Sequence, residues 1–141
     1  MLKLAFIGLL TLVSNYALAC SCQEIKGHAK ETLKSSKTVF LGIPTKDSSE
    51  TGVVGEYEQE QMKTNFKIVK KFKGYKSKRK KTATVYSTKG DGANCGVHFK
   101  KTAAIYLVFT YKRDGKLYTN GCNVLGVGHN EYTAETLLEL L

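Results

Sequence analysis

The sequence predicts a mainly β fold, in which five short strands form a closed or partly open barrel and a helix lies near each end of the chain. Short runs of β-branched and aromatic residues alternate with turn residues, which is typical of a small β domain. Residues 103–111 are apolar at nearly every position, as expected of a strand that is covered on both faces. Helical spacing of apolar residues occurs near the two termini.

The expected strands cover residues 38–43, 66–74, 82–87, 103–111 and 116–119. Asp114-Gly115 predicts a tight hairpin turn between the last two strands. Residues 47–55 are rich in glycine, serine and acidic side chains, and therefore predict a loop.

A helix is predicted near each end. The first covers residues 26–36, where apolar residues recur every four positions at Ile25, Ala29 and Leu33. The second follows Thr133, with an apolar face formed by Leu137, Leu138 and Leu141. Its carboxylates, Glu135 and Glu139, are expected to face water.

Residues 1–19 have the features of an export signal. Lys3 precedes an apolar run over residues 4–13, and Ala17-Leu18-Ala19 is a small-x-small cleavage site before Cys20. The run is far shorter than the ~20 residues needed to span a bilayer, which argues against a membrane anchor. We therefore expect a signal peptide, residues 1–19, followed by one secreted domain, residues 20–141.

The secreted domain has four cysteines, namely Cys20, Cys22, Cys95 and Cys122. An even number in an oxidising compartment favours two disulfides. A bridge between Cys20 and Cys22 would close a very small, strained ring, so both are expected to pair with the distant cysteines. Two long-range bridges would stop the N-terminus from fraying and suggest that it is presented to a partner.

Positive charge is concentrated around Gly74, within a chain of formal net charge +10. The densest part of this region consists of Lys76, Lys78, Arg79, Lys80 and Lys81. Such a patch attracts polyanions. For a secreted protein these are sulfated glycans, acidic cell-surface polymers or anionic lipids, and nucleic acid is excluded by location. The alternative is a solvated hairpin that keeps the protein soluble.

The sequence predicts neither an enzyme nor a protein with a metal or cofactor of its own. The histidines, His28, His98 and His129, show no metal-binding spacing, and oxidised cysteines cannot bind zinc. No nucleophile elbow, paired carboxylates or activated cysteine is recognisable.

Nearly all of the secreted domain resembles the N-terminal inhibitory domain of the tissue inhibitors of metalloproteinases, a branch of the netrin-like module family. The resemblance is carried by Cys20-Ser21-Cys22 and by residues 39–44, 66–75, 94–99, 106–109 and 121–122. The order and spacing of the cysteines are its most specific part.

The resemblance implies a five-stranded barrel of the oligonucleotide/oligosaccharide-binding type, with Cys20 paired to Cys95 and Cys22 to Cys122. It further implies a secreted, single-domain, monomeric inhibitor. In this family the free amino group and carbonyl oxygen of the first cysteine, here Cys20, chelate the catalytic zinc of a metalloprotease. The implied protease contacts are Ser21, Cys22, Gln23, Ala93, Asn94 and Cys95, with Ser21 at the mouth of the S1′ pocket.

Some residues depart from the pattern of the animal inhibitors. Gln23 and Glu24 stand where an apolar residue and proline are usual, and Thr32 stands near the first cysteine of a missing third bridge. The alternative function is therefore a non-inhibitory netrin-like module that binds polyanions.

A second alternative concerns a bacterial host, in which the protein would be periplasmic or lipid-anchored through Cys20. Acylation of Cys20 would eliminate zinc chelation by that residue. Ala17 and Leu18 do not match the usual lipoprotein signal, and lipidation would leave an odd number of thiols.

Overall fold

The computed structural model describes residues 22, 25, 27–54, 59–90, 95–101, 103–127, 136–137 and 139–140. The strands in these ranges are β1 (Thr38–Pro44), β2 (Ser49–Val54), β3 (Gln59–Lys73), β4 (Thr82–Thr88), β5 (Tyr106–Arg113), β6 (Lys116–Tyr118) and β7 (Val124–Gly126). Helix α1 covers Ala29–Ser35, and a 3-10 helix covers Gly121–Asn123. Thr136, Leu137, Glu139 and Leu140 are also helical, and we refer to these four as the C-terminal helical residues.

The strand pairings form a closed circuit in the order β1-β3-β4-β6-β5. Strand β1 pairs antiparallel with both β3 and β5. Strand β3 also pairs antiparallel with β4, and β5 pairs antiparallel with β6. Strands β4 and β6 join in parallel through Tyr86 and Tyr118, which completes the circuit. Outside it, β2 pairs with β3 and β7 pairs with β5. The prediction of a mainly β fold is confirmed.

Two strands lie where none was predicted. Strand β2 falls within residues 47–55, so the prediction of a loop over that whole segment is wrong. It pairs with the first part of β3, with a register irregularity between Glu50 and Gly52. Strand β3 consequently begins at Gln59 rather than at residue 66, and β7 is also additional. Pairing with a long neighbour outweighs the weak strand propensity of β2.

The hairpin between β5 and β6 has the expected turn. Asp114 and Gly115 have φ angles of 49° and 77°, the positive values that a type I′ turn needs at both central positions. Glycine adopts such angles without strain, which fixes the register of this hairpin.

One face of the strands forms an aromatic core. Its buried members are Phe40, Phe66, Ala83, Val85, Phe99 and Val108, supplied mainly by β1, β3, β4 and β5. Phe66 makes edge contacts with Phe40 and Phe99, with ring centroids 5.6 and 5.0 Å apart. Each such pair contributes about 0.5–1.5 kcal/mol beyond the area that it buries. This core packs β1, β3, β4 and β5 together.

The opposite face of β1 and β5 packs against Ile25, α1 and the C-terminal helical residues. Val39, Leu107 and Phe109 form a second buried cluster with Ile25 and Ala29. Leu33 of α1 and the C-terminal residues Leu137 and Leu140 pack against this cluster. Helix α1 and the C-terminal helical residues thus pack on the same side of the sheet.

Helix α1 is shorter than the predicted residues 26–36. A turn precedes it, in which the backbone N–H of His28 donates to the carbonyl of Ile25 at 2.8 Å, and Gly27 has a φ of 77°. A left-handed residue at Gly27 cannot belong to the helix, so α1 begins at Ala29.

Glu139, predicted to face water, is half-exposed and also binds the protein backbone. Its carboxylate accepts hydrogen bonds from the backbone N–H groups of Gly27 and Ala29. Glu135, Leu138 and Leu141, also named for the closing helix, lie outside the described residues. None of the described helical segments has the length and apolarity that crossing a membrane requires.

Candidate functional site: the cysteine end and the basic loop

A disulfide joins Cys22 to Cys122, across 100 residues of sequence, with the two Cα atoms 5.1 Å apart. Cys22 is exposed and Cys122 is half-buried. Cys122 lies in the 3-10 helix that Asn120 caps, since the side-chain oxygen of Asn120 accepts from the Cys122 N–H at 2.9 Å. The N-terminal segment is therefore attached to an ordered turn, through the pairing that the resemblance implied.

The segment after Cys95 reaches the same turn. The N–H of Gly121 donates to the carbonyl oxygen of Cys95 at 2.7 Å, and Cys95 is itself disulfide-bonded. Its φ of 52° places it in the left-handed region, which turns the chain sharply here. We call the surface formed by Cys22, Cys95 and Cys122 the cysteine end.

Strand β4 supports the cysteine end from below. The N–H of Val97 donates to the carbonyl of Thr88 at 2.8 Å, and the hydroxyl of Ser87 donates to the carbonyl of Val97 at 2.6 Å. A Cβ atom at Gly96 would lie only 2.5 Å from the Thr88 carbonyl oxygen. Only glycine allows this close approach. Sequence reasoning did not single out Gly96, because one glycine after a cysteine carries little signal.

A polar cavity of about 250 Å³ opens beside Cys95. Gln61, only 5% exposed, donates from Nε2 to the Tyr118 hydroxyl at 3.0 Å. Tyr111 stacks on Tyr118, with ring centroids 5.8 Å apart, and the Arg113 guanidinium lies 4.8 Å from the Tyr118 ring centroid. This cavity could not be predicted from the sequence, because its residues come from four separate strands and the loops that follow them.

The structure describes only part of the protease-contact set implied by the resemblance. Cys22 and Cys95 are brought to one end of the molecule, as described above. Cys20, Ser21, Gln23, Ala93 and Asn94 lie outside the described residues, and so does the implied pairing of Cys20 with Cys95.

The second candidate surface is the basic loop, residues 74–81, which connects β3 to β4. All five expected cations are exposed, namely Lys76, Lys78, Arg79, Lys80 and Lys81. The Lys71 ammonium donates to the carbonyl oxygens of Ser77 and Lys78, at 3.0 and 3.1 Å. Because these bonds come from within β3, they hold the loop against the sheet.

The cations of the basic loop have no acidic counterparts among the described residues. The described residues form two ion pairs, Lys89 with Glu60 and Lys100 with Asp47, and both lie outside the basic loop. The ammonium groups of Lys71 and Lys80 each lie 5.6 Å from the centroid of the Tyr75 ring. Cation–π contacts of this kind orient the lysines without neutralising them.

Tyr75 also reaches into the core, where its ring packs on Phe40 with centroids 6.1 Å apart. Burial raises the pKa of Tyr75, and the nearby Thr38 side chain partly offsets this. Within the described part of the chain, the Tyr75 hydroxyl nevertheless has no hydrogen-bond partner of good geometry. The Thr38 hydroxyl is instead 2.6 Å from that of Thr110.

The cysteine end and the basic loop lie at opposite ends of β4. Thr82 follows the basic loop, while Thr88 contacts the segment after Cys95. A strand of seven residues, with a rise of about 3.3 Å per residue, separates the two surfaces by roughly 20 Å.

Within the ranges that the structure describes, no three histidine, cysteine, aspartate or glutamate side chains are grouped to hold a metal ion. His28 and His98 are both exposed, at the start of α1 and beside the buried Phe99. His129 lies outside the described residues.

A mainly β domain with a disulfide-anchored N-terminal segment agrees with the class of inhibitory domain that the sequence resembles. Residues 18–134 match the family model described as tissue inhibitor of metalloproteinase. No curated protein matches the sequence. The chain belongs to the tissue inhibitor of metalloproteinase family. At the level of this family, the members are secreted inhibitors rather than enzymes, and their partners are metalloproteinases.

Proposed function

We propose that this protein is a secreted metalloprotease inhibitor, which chelates the catalytic zinc of its target through the free amine and carbonyl oxygen of Cys20. Removal of residues 1–19 would free that amine, leaving residues 20–141 as one domain of the oligonucleotide/oligosaccharide-binding barrel type. The observation that carries the proposal is the family match over residues 18–134. The Cys22–Cys122 disulfide supports it, because it anchors the chain two residues from Cys20.

The proposed chemistry suits a catalytic zinc site. Such a zinc has three protein ligands and one open position, which holds the water that attacks the substrate. An amine and a carbonyl on one residue form a compact chelate that displaces this water. The reference pKa of an α-amino group is about 7.7–8.0, so its deprotonation costs little near neutral pH.

Preorganisation makes the chelate effective. A free peptide would lose conformational entropy when its terminus becomes ordered on zinc, whereas a terminus held by bridges has lost it beforehand. We propose that Cys20 pairs with Cys95, next to the Cys22–Cys122 bridge. Ser21, Gln23, Ala93 and Asn94 would then contact the protease together with Cys22 and Cys95, with Ser21 at the mouth of the S1′ pocket.

One extra alanine before Cys20 tests the chelation. The added peptide bond converts the amine to an amide, which is a poor zinc ligand. Inhibition of a panel of zinc metalloproteases should weaken at least ~100-fold, which corresponds to about 2.7 kcal/mol. The inhibition constant is the measurement.

A matched control carries the extra alanine after Leu141 and should inhibit like the unaltered protein. Both variants should show the same far-UV circular dichroism and the same disulfide map. Equal inhibition by the two variants would contradict chelation by Cys20. Intact mass of the native protein shows separately whether the Cys20 amine is free or acylated.

A second candidate function is favoured by one observation, namely that a loop held by Lys71 presents cations for which the described residues supply no acidic partner. We propose that the basic loop binds sulfated glycans. Sulfated glycans carry many sulfate groups, each with one negative charge, so several fixed lysines attract them with a marked dependence on salt. A cavity of about 280 Å³ adjoins the loop, lined by Ile68, Val69, Lys70, Lys71, Lys78, Lys80 and Lys81.

Glutamine replacement of Lys78, Arg79, Lys80 and Lys81 tests the glycan site. The salt concentration needed to elute the protein from immobilised heparin should fall strongly, because up to four counterion-releasing contacts are lost. A charge-matched control replaces the exposed lysines Lys30, Lys46, Lys100 and Lys101 and should elute nearly like the unaltered protein. Equal losses in both variants would mean that net charge alone governs binding.

A further inference from the structure

Glu139 connects the C-terminal helical residues to the start of α1. One carboxylate oxygen accepts from the Gly27 N–H at 2.8 Å, and the other accepts from the Ala29 N–H at 3.3 Å. The first N–H groups of a helix have no partner within the helix. His28, the N-cap of α1, makes no side-chain capping bond, so Glu139 supplies this cap from 110 residues away.

Apolar packing holds the same contact in place. Leu137 and Leu140 flank Glu139 and pack against the cluster that contains Ile25 and Ala29. Ile25 is 4% exposed and Ala29 is fully buried. Ala29, which donates one of the two bonds, thus belongs to the buried cluster itself, and Gly27 lies between its members Ile25 and Ala29. Displacing these backbone N–H groups would disturb the packing of the cluster.

These C-terminal residues lie beyond the segment that matches the family model, which ends at residue 134. The interaction is therefore a feature of this chain that the family match does not include.

We infer that Glu139 is a positioning residue, which sets the direction in which the N-terminal segment runs from α1 to the cysteine end. Among the described residues of that segment, the disulfide holds Cys22, burial holds the side chain of Ile25, and the carboxylate of Glu139 holds the backbone at Gly27. Without that carboxylate, Gly27 and Ala29 lose their acceptor, so the orientation of Cys22 and Ile25 relative to α1 becomes less restricted. Its effect on inhibition rests on the proposed function, whereas its effect on the order of the segment does not.

The variants Glu139→Ala and Glu139→Gln test this inference. Alanine removes both acceptors, while glutamine keeps one oxygen that can accept from Gly27. Glu31→Gln is the control, because Glu31 is an exposed carboxylate in the first turn of the same helix and its loss changes the net charge equally.

Hydrogen exchange at the backbone amides of Cys22, Gly27 and Ala29 is the first readout. Exchange should accelerate at least about tenfold at Gly27 and Ala29 in the alanine variant, less in the glutamine variant, and not in the control. Faster exchange at Cys22 is also expected, since a local capping role alone would leave that residue unchanged. Unaltered exchange at Cys22 would overturn the inference.

The inhibition constant at a temperature well below unfolding is the second readout. Glu139→Ala should weaken inhibition roughly three- to tenfold, because part of the ordering cost is transferred to the binding step. Unchanged inhibition by a folded alanine variant would overturn the positioning role. If the unaltered protein inhibits no metalloprotease, the proposed function fails, while the exchange at Cys22 still decides the role of Glu139.

Discussion

The hydroxyl of Tyr75 is buried and finds no hydrogen-bond partner among the described residues, although its ring is well packed between the core and two lysines. Such a group is held by its ring rather than by its polar atom. The sequence showed an aromatic residue within a basic run, but it could not show that the Thr38 hydroxyl would be engaged by Thr110.

Tyr75→Phe should leave stability at pH 8 unchanged or raise it by up to ~1 kcal/mol, because it removes an unpaired buried hydroxyl. The raised pKa of Tyr75 means that the unfolded chain releases this proton at a lower pH than the folded protein does. The contribution of Tyr75 to the free energy of unfolding is therefore fully present below about pH 10. It is lost as the pH rises through the pKa that Tyr75 has in the folded protein. The free energy of unfolding, measured with urea at pH 8 and above pH 10, is the test. Relative to the unaltered protein, the variant should be more stable at the higher pH than at pH 8. A difference that is the same at both pH values would contradict this.

Glu139 is a second residue whose contacts could not be predicted from the sequence. Helical spacing placed it opposite the leucines, where a carboxylate usually faces water. Its partners are the backbone N–H groups of Gly27 and Ala29, more than 100 residues earlier in the chain. Because nearly every residue has a backbone N–H group, the sequence does not show which of them a carboxylate will bind. By contrast, the exposure of the lysines in the basic loop could be predicted, since long charged side chains are almost never buried without a partner.

The individual strands differ in how much of them could be predicted. Strands β1 and β4 lie within one residue of their predicted bounds, because β-branched and aromatic residues dominate both. Strand β2 could not be predicted from Ser49–Val54, because its polar, glycine-containing sequence forms a strand only beside β3. Helix α1 was placed correctly but made too long, since spacing alone does not reveal the left-handed Gly27.

For the molecule as a whole, the Cys22–Cys122 bridge restricts the conformations that the unfolded chain can adopt. It closes a loop across 100 residues, for which a chain-entropy model gives about 4.7 kcal/mol. The double variant Cys22→Ser and Cys122→Ser should lose about 4–5 kcal/mol in urea unfolding. A loss below ~1 kcal/mol would mean that the folded protein stores compensating strain, or that the unfolded chain stays compact.

One part of the candidate site, the long-range bridge between Cys22 and Cys122, could be predicted because the number and positions of the cysteines favour distant pairing. The second predicted bridge and the N-terminus itself lie outside the described residues and stay predictions. The polar cavity beside Cys95 and the close approach at Gly96 could not be predicted, since both depend on how the ends of separate strands meet.

The closed circuit of strands also constrains the order in which the protein can fold. Strand β1 is paired on one side with β3 and on the other with β5, and its residue Thr38 bonds Thr110, 72 residues further along. During synthesis one edge of β1 must therefore stay unpaired until most of the chain has emerged. Unpaired edges are sites of intermolecular strand pairing, and distant pairings form slowly. The step that closes the circuit is thus the one at which folding competes most directly with aggregation.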